Sequence, residues 1–356
     1  MKKVFHLYKT FSPYTHGGVE TYIETIINSQ SKFDHQILSI GNNKFSNSKR
    51  VIFKKTFNYS SDIFSLSLCK FILNEIDREN DIIHLHTPWP TMEFFLSFLN
   101  FKKIIVTYHS DIIRQKFINF FYKYITIFFL KNKANKVIAT SEMYYNSSEI
   151  LKRVPKTNVS IIPIGIEDLN NSVNLDKDLR ENYILFIGSN RSYKGIPLLE
   201  ELVRKEPKKF ILIGSGLSKF NKYSNVKLYE NISEEKKADL ISKASILLMT
   251  STSRNEAFGI VLVESLRSGI PIISPNLDSG VSWVNQDKLT GFIYKTGNLE
   301  DLKIKLKKIM ELKFSKYKDF RYQARIRYEQ NFKLNLMIEN LDKIYYEIFK
   351  KLFYFP

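Results

Sequence analysis

One stretch of the sequence reads Asn255-Glu-Ala-Phe-Gly-Ile-Val-Leu-Val-Glu-Ser-Leu-Arg-Ser-Gly-Ile-Pro-Ile-Ile-Ser274. It follows a strand-like apolar run, residues 245–250, and a polar loop. The apolar residues 258–266 predict a helix, which ends at Gly269 and Pro271 because neither residue continues a helix well. The order of strand, loop and buried helix is typical of an α/β domain.

Two carboxylates stand out in this stretch, Glu256 at the mouth of the helix and Glu264 two turns into it. A helix that begins near Gly259 offers unpaired N–H groups and the positive end of its dipole to an anion. Eight residues of helix span about 12 Å, so the two carboxylates could hold opposite ends of one ligand. The stretch therefore predicts half of a nucleotide site.

The composition indicates a folded protein of more than one domain. The chain has 356 residues, of which 44% are hydrophobic and 14% aromatic, which excludes a disordered chain. A single cysteine, Cys69, lies in an apolar run, where packing is expected rather than nucleophilic chemistry, and it favours a reducing compartment. The first ten residues lack a signal-peptide core, and no apolar run is long enough for a bilayer, so a cytoplasmic location is expected.

The formal net charge of +18 calls for an anionic partner, unless it reflects a Lys-rich composition of no specific use. Residues 102–136 hold eight basic residues and one acid, Asp111, among eight aromatics. A helix over 112–131 would either lie on an anionic membrane surface or pack in the core with its lysine stems along apolar surface. We do not expect nucleic-acid binding, because no recognised binding motif accompanies these residues.

The first half of the sequence predicts a doubly wound α/β domain. The expected strands are 3–8, 35–40, 51–53, 81–86, 103–109, 136–140 and 159–163. Gly17 and Gly18 separate the first strand from residues with helical spacing, and further helices are expected at 65–77 and 112–131. Apolar strands that alternate with helices predict a parallel sheet buried on both faces.

The second half repeats this class of fold. The expected strands are 183–188, 209–214, 225–229, 245–250 and 270–274, with helices at 197–205, 234–243 and 258–267 and helical sequence from 299 onward. The predicted domains are 1–166, a polar linker 167–182, a second domain 183–325, and C-terminal helices 326–356 that could pack back on the first domain. Two doubly wound domains would face each other across a central cleft, where both contact a ligand.

Several motifs together resemble those of the retaining family-4 glycosyltransferases, which have the GT-B fold. The similar elements are the E-x7-E element of 255–264 with Gly269-Ile-Pro271, the early loop Gly17-Gly18-Val-Glu20, and Gly188-Ser-Asn-Arg-Ser-Tyr-Lys-Gly195. They stand in the expected order over nearly the whole chain. Residues 109–115 and 280–286 also resemble the branch that contains mannosyl- and rhamnosyltransferases of bacterial surface-polysaccharide assembly.

The resemblance implies separate roles for the two carboxylates. Glu256 would bind hydroxyls of the donor sugar and Glu264 the ribose hydroxyls, since a carboxylate accepts two hydrogen bonds. Phe258, Gly259 and Ile260 would line the same donor site. The alternatives are a helix N-terminal charge pair for Glu256 and an exposed helix position for Glu264. An acid within an otherwise apolar segment favours the functional interpretation of Glu264.

The loop after the first strand of the second half is the predicted diphosphate site. Arg191 and Lys194 are placed there to neutralise the leaving group. The family often has Arg directly after the glycine, where this sequence has Ser189, so Arg191 either substitutes for that Arg or the role is absent. A solvated basic loop is the alternative for Arg191.

Glycines and backbone groups complete the implied donor site. Gly17 and Gly18 would allow close backbone approach to the ligand and φ values that other residues avoid. The resemblance places them near the donor phosphates and the reacting carbon. Asn231 and Ile232 lie at the strand edge where the family binds the nucleotide base.

The resemblance places His109, at the end of a strand, against the donor sugar. It gives no protein nucleophile, so positioning and charge stabilisation are expected to do the catalytic work. His84 and His86 share a strand face and could ligate a metal. We expect no metal and assign these two histidines to packing or to the edge of the cleft, because no third ligand stands at a recognisable spacing.

These observations predict a retaining, metal-independent hexosyltransferase without a cofactor, in which His109, Glu256 and Lys194 are catalytic. The expected donor is a nucleotide sugar, GDP-mannose before a UDP-sugar. The expected acceptor is a lipid-linked glycan of O-antigen, capsule or exopolysaccharide synthesis, met at the inner face of the cytoplasmic membrane. Two other functions stay open: a nucleotide-sugar epimerase, and a non-catalytic basic module that binds membrane or nucleic acid.

Overall fold

A computed structural model describes residues 2–11, 17–59, 62–112, 116–168, 173–180 and 182–351. The chain divides into two compact units. The first comprises Met1–Ile164 together with Asn335–Pro356, and the second comprises Gly165–Leu334. By this division the described residues of the predicted linker, 167–182, fall within the second unit from Gly165 to Leu334.

The elements of the first unit alternate between strand and helix. Its strands are β1 Lys3–Leu7, β2 Asp34–Gly41, β3 Phe45–Ser46, β4 Arg50–Lys54, β5 Phe57–Tyr59, β6 Asp62–Phe64, β7 Ile82–Thr87, β8 Ile104–Tyr108, β9 Lys136–Ala139 and β10 Val159–Ile161. Its first helices are α1 Gly18–Ile27, α2 Leu66–Glu75, α3 Pro90–Ser97, α4 Lys116–Asn132 and α5 Glu142–Ser147.

The elements of the second unit follow the same pattern. Its strands are β11 Ile184–Ile187, β12 Phe210–Ile213, β13 Val226–Tyr229, β14 Ile246–Leu248, β15 Ile272–Pro275 and β16 Gly291–Tyr294. Its helices are α6 Ile196–Lys205, α7 Glu234–Ser242, α8 Ile260–Arg267, α9 Gly280–Val284, α10 Leu299–Met310 and α11 Phe314–Asn331. The helix α12, Leu334–Lys351, follows, and all but its first residue belongs to the first unit.

The main sheet of each unit has the strand order of a dinucleotide-binding fold. In the first unit the order is β10-β9-β8-β7-β1-β2-β4-β3, parallel except that β3 pairs antiparallel with β4. In the second unit it is β13-β12-β11-β14-β15-β16, parallel throughout. The order therefore reverses between β1 and β7 and between β11 and β14, which confirms two doubly wound Rossmann-like units.

The parallel strands are apolar because helices cover both of their faces. In β8 all five residues are buried, and in β12 all four. The second unit also buries the guanidinium of Arg321, which donates hydrogen bonds to the carbonyls of Gly269, Leu175 and Lys177. These bonds hold residues 175–177 against the end of α8 and explain how a buried charge is tolerated.

Seven elements were absent from the predicted pattern: β3, β5, β6, α3, α5, α9 and β16. The helix predicted over 112–131 is α4, whose side chains before Tyr122 lie outside the described residues, as do Arg114 and Gln115 of the 109–115 motif. In the described ranges no helix combines the length and apolar character needed to cross a bilayer.

Candidate active site

The candidate site of the second unit lies where its strand order reverses. The loop after β11 carries Lys194, and the loop after β14 carries Glu256. The carboxyl ends of these neighbouring parallel strands open a crevice, which is where ligands bind doubly wound sheets. Topology alone therefore brings together two residues that are 62 positions apart in the sequence.

Glu256 and Lys194 form an ion pair that is largely shielded from water. Lys194 Nζ lies 2.6 Å from Glu256 Oε2, and the two side chains are 14% and 11% exposed. The hydroxyl of Ser251 donates a second hydrogen bond, of 2.9 Å, to the same oxygen. A desolvated pair of this kind neutralises both charges, and both become available if a ligand displaces the contact.

The Lys194 loop is fastened to the end of β14. The residues Ser192–Lys194 form a 3-10 turn that ends at Gly195, whose φ of +64° lies in the left-handed region. A Cβ on Gly195 would lie 1.8 Å from the carbonyl oxygen of Thr250. The Thr250 hydroxyl in turn donates to the Lys194 carbonyl at 2.8 Å. The close contact of Gly195 with Thr250 thus fixes the position of Lys194 relative to the end of β14.

Arg191 and Ser189 occupy the outer part of the same loop. Arg191 is exposed, and its guanidinium has no ion pair or hydrogen bond within the described ranges. The Ser189 hydroxyl accepts a hydrogen bond from Ser215 at 3.0 Å. Lys194 is therefore the better-held cation of the loop, and Arg191 is free to move toward an anion.

Glu264 points from α8 to a lysine of the preceding helix. Its Oε1 lies 2.8 Å from Lys237 Nζ, whereas its buried Oε2 has no hydrogen-bond partner among the described residues. Burial acts to lower the pKa of Lys237, but Glu264 and Glu234 outweigh it, and the pKa is raised. A buried carboxylate oxygen without a donor is costly, so Oε2 is a vacant acceptor for a ligand hydroxyl.

The start of α8 is set by Gly259, which lies in the left-handed region at φ +80° and precedes Ile260. Phe258 is buried, with its ring 6.3 Å from that of Trp283 and 6.1 Å from that of Phe332. Ile260 is half-buried and begins the helix, two residues later than predicted. Of the three predicted positions, Phe258 has its ring packed into the unit, while Gly259 and Ile260 form the helix N-terminus.

Asn231 and Ile232 follow β13 at the same edge of the sheet. Asn231 is exposed with a φ of +52°, and Ile232 is half-buried. The preceding residue, Glu230, accepts a hydrogen bond from the backbone N–H of Gly216 at 3.1 Å. This bond links the loops after β12 and β13 and leaves the side chain of Asn231 exposed.

In the first unit, Gly17 does not adopt the unusual backbone that we predicted. It caps α1 with an extended φ of −156°, which any residue can adopt, and Gly18 is the exposed first residue of the helix. The prediction of special φ values for this pair is therefore wrong. A Cβ on Gly17 would lie 2.8 Å from the Glu20 carboxylate, so the smallness of Gly17 leaves room for that side chain.

His109 follows β8 directly and is buried, with 6% of its surface exposed. One of its ring nitrogens, Nε2, lies 3.0 Å from His86 Nδ1. Burial lowers the pKa of His109 to about 3, so its imidazole is neutral at physiological pH. A neutral imidazole offers one donor and one acceptor, which suits contact with a hydroxyl.

No third ligand for His84 and His86 stands at a recognisable spacing in the sequence, but in the fold β1 brings His6 beside them, with ligating nitrogens within 4.8 Å. All six nitrogens already have hydrogen-bond partners. Their contacts are His6–His86 at 2.9 Å, His6–His35 at 2.9 Å, His86–His109 at 3.0 Å, His84–Tyr345 at 2.7 Å and His84–Thr107 at 2.7 Å. This hydrogen bonding accounts for the cluster as part of the unit's core.

Sequence reasoning missed two kinds of residue near these sites. Lys237 lies in the polar run Glu234-Glu-Lys-Lys237, where nothing marks it as a partner of Glu264. His6 did carry a signal, because it stands in an apolar strand between two buried neighbours, as His84 does. A polar residue repeated at the middle of adjacent core strands indicates that the strands share hydrogen bonds across the sheet.

Two family models match the sequence in succession. The model described as "Glycosyltransferase Family 4" matches residues 16–168, and "Glycosyl transferases group 1" matches residues 168–327. Among curated proteins, O-antigen chain mannosyltransferase C of Escherichia coli is 29% identical, over 96% of this chain and 98% of its own length. The D-rhamnosyltransferase WbpZ of Pseudomonas aeruginosa is 28% identical over 82% of each chain.

Solved structures share the fold at low sequence identity. HepE of Anabaena in complex with UDP superposes with a TM-score of 0.75 at 16% identity, over 98% of this chain and 100% of that one. Sucrose-phosphate synthase of Thermosynechococcus elongatus gives a TM-score of 0.76 at 16% identity, over 98% and 99%. These likenesses confirm the predicted fold class, GT-B with two Rossmann-like units.

Proposed function

Because the chain belongs to the glycosyltransferases that join a family-4 domain to a group 1 domain, we propose that it transfers a hexose from a nucleotide sugar to a lipid-linked glycan. The observation that carries this proposal is the buried Lys194–Glu256 ion pair at the strand-order reversal of the second unit. We propose retention of configuration at the transferred carbon and a reaction without a metal ion, with no covalent intermediate on the protein.

In this proposal the donor separates the ion pair. The diphosphate takes Lys194, and the freed Glu256 carboxylate accepts hydrogen bonds from sugar hydroxyls, while Ser251 keeps its own bond to Glu256. Arg191 adds a second cation from the exposed outer part of the loop. Charges held in a shielded crevice stabilise a leaving diphosphate more strongly than charges in water do.

Glu264 supplies the second contact with the donor. Its Oε2 is buried and lacks a donor among the described residues, so a ribose hydroxyl would satisfy it. Lys237 holds the other oxygen and fixes the orientation of the carboxylate. The first residues of α8, beginning at Gly259 and Ile260, would place the phosphates between the two acids, and the edge at Asn231 and Ile232 would take the base.

The relatives support a choice of sugar. One is named an O-antigen chain mannosyltransferase and another a D-rhamnosyltransferase. We therefore propose mannose as the transferred hexose, GDP as the preferred carrier, and a surface polysaccharide as the product. A UDP-sugar is the competing donor, because HepE of Anabaena was solved with UDP-glucose.

Exposed aromatics on α3 and α4 support work at a membrane surface. These two helices pack together. Three of their rings, with that of Phe98 directly after α3, lie largely in solvent: Phe94 (52%), Phe98 (71%), Tyr124 (58%) and Phe128 (52%). The other side of α4 is core, with Phe129 and Leu130 buried. Aromatic rings and a net charge of +18 fit the headgroup region of an anionic bilayer, so we propose a peripheral enzyme of the inner membrane face.

The deciding experiment combines donor choice with one substitution. We expect GDP-mannose to raise the thermal midpoint more than UDP-, ADP- or dTDP-sugars do, and radiolabelled mannose to reach a lipid-linked acceptor. Glu256→Gln should abolish transfer, whereas Glu300→Gln, at an exposed position of α10, should leave it unchanged. Wild-type transfer by Glu256→Gln would overturn the proposal. Conversion of the donor without an acceptor would indicate an epimerase, and salt-sensitive polynucleotide binding without transfer would indicate a basic binding module.

A further inference from the structure

Glu230, the residue directly after β13, places a carboxylate at the edge of the second unit's sheet. The backbone N–H of Gly216 donates to its Oε1 at 3.1 Å. The residue is exposed, and its Oε2 has no hydrogen bond or ion pair within the described ranges. Because an ionised carboxylate has about four acceptor positions, one bond leaves most of them free. Glu230 is therefore fixed at one oxygen and available to a ligand at the other.

The loop that Glu230 holds is also fastened to the proposed diphosphate loop. The backbone N–H of Asn190, in the loop that carries Lys194, donates to the carbonyl of Ser215 at 2.9 Å. A Cβ on Gly216, whose φ is +72°, would lie 3.1 Å from Asn190 Cβ. These contacts join the loops after β11, β12 and β13, whose strands are neighbours. Glu230 is thus held about 10 Å along the sheet edge from the end of β11, since two strand spacings separate β11 from β13.

A second set of contacts places Glu230 near the proposed ribose site. The buried Oε2 of Glu264 lacks a hydrogen-bond partner among the described residues, and its Oε1 lies 2.8 Å from Lys237 Nζ. The N–H of Lys237 donates to the carbonyl of Ser233, the N-cap of α7, at 2.9 Å. The turn 230–233 therefore ends about one helical turn, about 5 Å, before the lysine that holds Glu264. A nucleotide whose ribose contacts Glu264 would have its base at this turn.

The bases of nucleotide sugars offer a carboxylate different hydrogen-bonding groups. Guanine presents N1–H and its 2-amino group side by side, and these two parallel donors match the two oxygens of a carboxylate. Uracil and thymine present one N–H between two carbonyl oxygens, which a carboxylate repels. Adenine presents an amino group beside a ring nitrogen that only accepts. A carboxylate at the position of the base therefore selects guanine.

The basic residues that follow Glu230 in the chain are paired with other acids, so they leave its charge uncompensated. Lys236 Nζ lies 3.6 Å from Asp239, and Lys237 Nζ lies 2.7 Å from Glu234. A hydrogen bond to an ionised acceptor is about twice as strong as one between neutral groups. A carboxylate without a cationic partner therefore favours a base with two donors more than a neutral side chain would.

We propose that Glu230 selects guanine as the base of the donor. Its carboxylate accepts the N1–H and one N–H of the 2-amino group, while the Gly216 N–H keeps one carboxylate oxygen in place. This inference rests on the proposed function, in which a nucleotide sugar has its base at Asn231 and Ile232. It gives the preference for GDP a cause in a side chain of this protein, independent of the names of its relatives. Glu230 contacts only the base, so it determines specificity and takes no part in the transfer step.

The affinities of the wild-type protein for three nucleoside diphosphates provide the first test. GDP should bind at least about tenfold more tightly than inosine diphosphate, which lacks only the 2-amino group, because one carboxylate oxygen then loses its donor. GDP should also bind at least about tenfold more tightly than UDP. Titration calorimetry measures all three affinities. Equal affinity for GDP and inosine diphosphate, or tighter binding of UDP, would overturn the inference.

Glu230→Gln should change the specificity in a direction that a structural defect would not produce. The amide presents one acceptor and one donor side by side, which opposes the two donors of guanine and matches the N–H and carbonyl of uracil. The affinity for GDP should fall about tenfold, its preference over inosine diphosphate should shrink to about twofold, and the affinity for UDP should stay constant or rise. Glu235→Gln removes the same charge at an exposed position in the first turn of α7 and should leave all three affinities unchanged.

The outcomes separate this inference from the proposed function. An equal loss for all three nucleotides in Glu230→Gln would mean that Glu230 only supports the Gly216 loop, and an undiminished preference for GDP would exclude contact with the base; either result overturns the inference. The same loss of preference in Glu235→Gln would indicate a general effect of charge and would also overturn it. If the wild type transfers sugar from a UDP-sugar in preference to GDP-mannose, the inference fails and the transferase function stands. If the wild type binds no nucleotide and transfers no sugar, the proposed function fails, and the inference fails with it.

Discussion

The Lys194 ammonium and the Glu256 carboxylate are each other's partner at 2.6 Å, although the donor proposed here would use them for different groups. The two charges of the site therefore neutralise each other. A donor must offer a diphosphate and hydroxyls together to replace both halves of the pair. A free sugar supplies only the hydroxyls and a nucleoside diphosphate supplies only the diphosphate for this pair, so the pair favours the intact nucleotide sugar.

Lys194→Met should weaken nucleotide-sugar binding by about 10- to 100-fold, because it removes a charge-assisted contact and leaves Glu256 buried with only Ser251 as a donor. Arg191→Met removes an exposed cation of the same loop and should cost less than about threefold. Titration calorimetry with the preferred donor measures both. A larger loss for Arg191→Met would show that Arg191, rather than Lys194, replaces the arginine missing at Ser189.

Glu264→Gln should remove the preference for ribose hydroxyls. Wild type is expected to bind a nucleoside diphosphate at least about tenfold more tightly than its 2′,3′-dideoxy analogue, since the analogue leaves Oε2 unsatisfied. In the variant this difference should shrink to about twofold. Glu234→Gln removes the other, exposed partner of Lys237 and serves as the control. An undiminished difference in Glu264→Gln would exclude the ribose contact.

Gly195→Ala should destabilise the second unit by more than about 3 kcal/mol, because the added Cβ meets the Thr250 carbonyl at 1.8 Å. Gly297 offers a matched control, since its φ of +74° is also left-handed but nothing lies within 4 Å of its Cβ position. Gly297→Ala should therefore cost only about 1 kcal/mol. Urea midpoints measure both, and equal losses would contradict the packing argument.

Acidification should destabilise the first unit between pH 6.5 and pH 5. The five buried histidines have an ordinary pKa of 6.5 when unfolded, and burial lowers it when folded: His6, His35, His84, His86 and His109. Above pH 6.5 these histidines are neutral in both the folded and the unfolded state, so they add no pH dependence to the stability. Below it only the unfolded state gains protons, so each histidine costs up to about 1.4 kcal/mol per pH unit.

The buried Glu93 and the half-buried Asp62, whose pKa values are raised mainly by burial, act in the opposite direction. We expect the histidines to outweigh them. Every histidine of the chain lies before residue 110, so histidine NMR signals during urea unfolding report this unit alone. The slope of unfolding free energy against pH measures the number of protons taken up on unfolding, and His35→Gln should reduce that number by about one. A free energy of unfolding that stays constant from pH 6.5 to pH 5 would contradict the neutral state of the buried histidines.

The sequence predicted the two sheets well because their strands are continuous apolar runs between turn residues. The runs at β8 and β12 admit no other element of that length. The sequence did not predict α3, because two prolines close together, Pro88 and Pro90, are typical of a loop. In the structure Pro90 is the first residue of the helix. The sequence also missed β16, a four-residue strand whose pairing with β15 is visible only in three dimensions.

The candidate site was predictable in part for the same reason. Glu256 and Lys194 stand in loops after strand ends, and Glu264 is an acid within an apolar helix, so their positions carry information. Their partners do not, because Lys237 and Ser251 are common residues whose roles arise from packing between α7, β14 and α8. Gly17 shows the converse error, since a glycine pair indicates special φ values and the structure requires only a small side chain there.

The first unit is assembled from both sides of the second in the sequence. Helix α12 brings Tyr345 to His84 and Asp342 to Ser31, yet these residues are translated after Leu334, the final residue of the second unit. On the ribosome, every residue of the second unit has been joined before the first unit can be completed. Until then His84 and Ser31 lack these partners, so a nascent chain carries an unfinished first unit after its second unit has been fully translated.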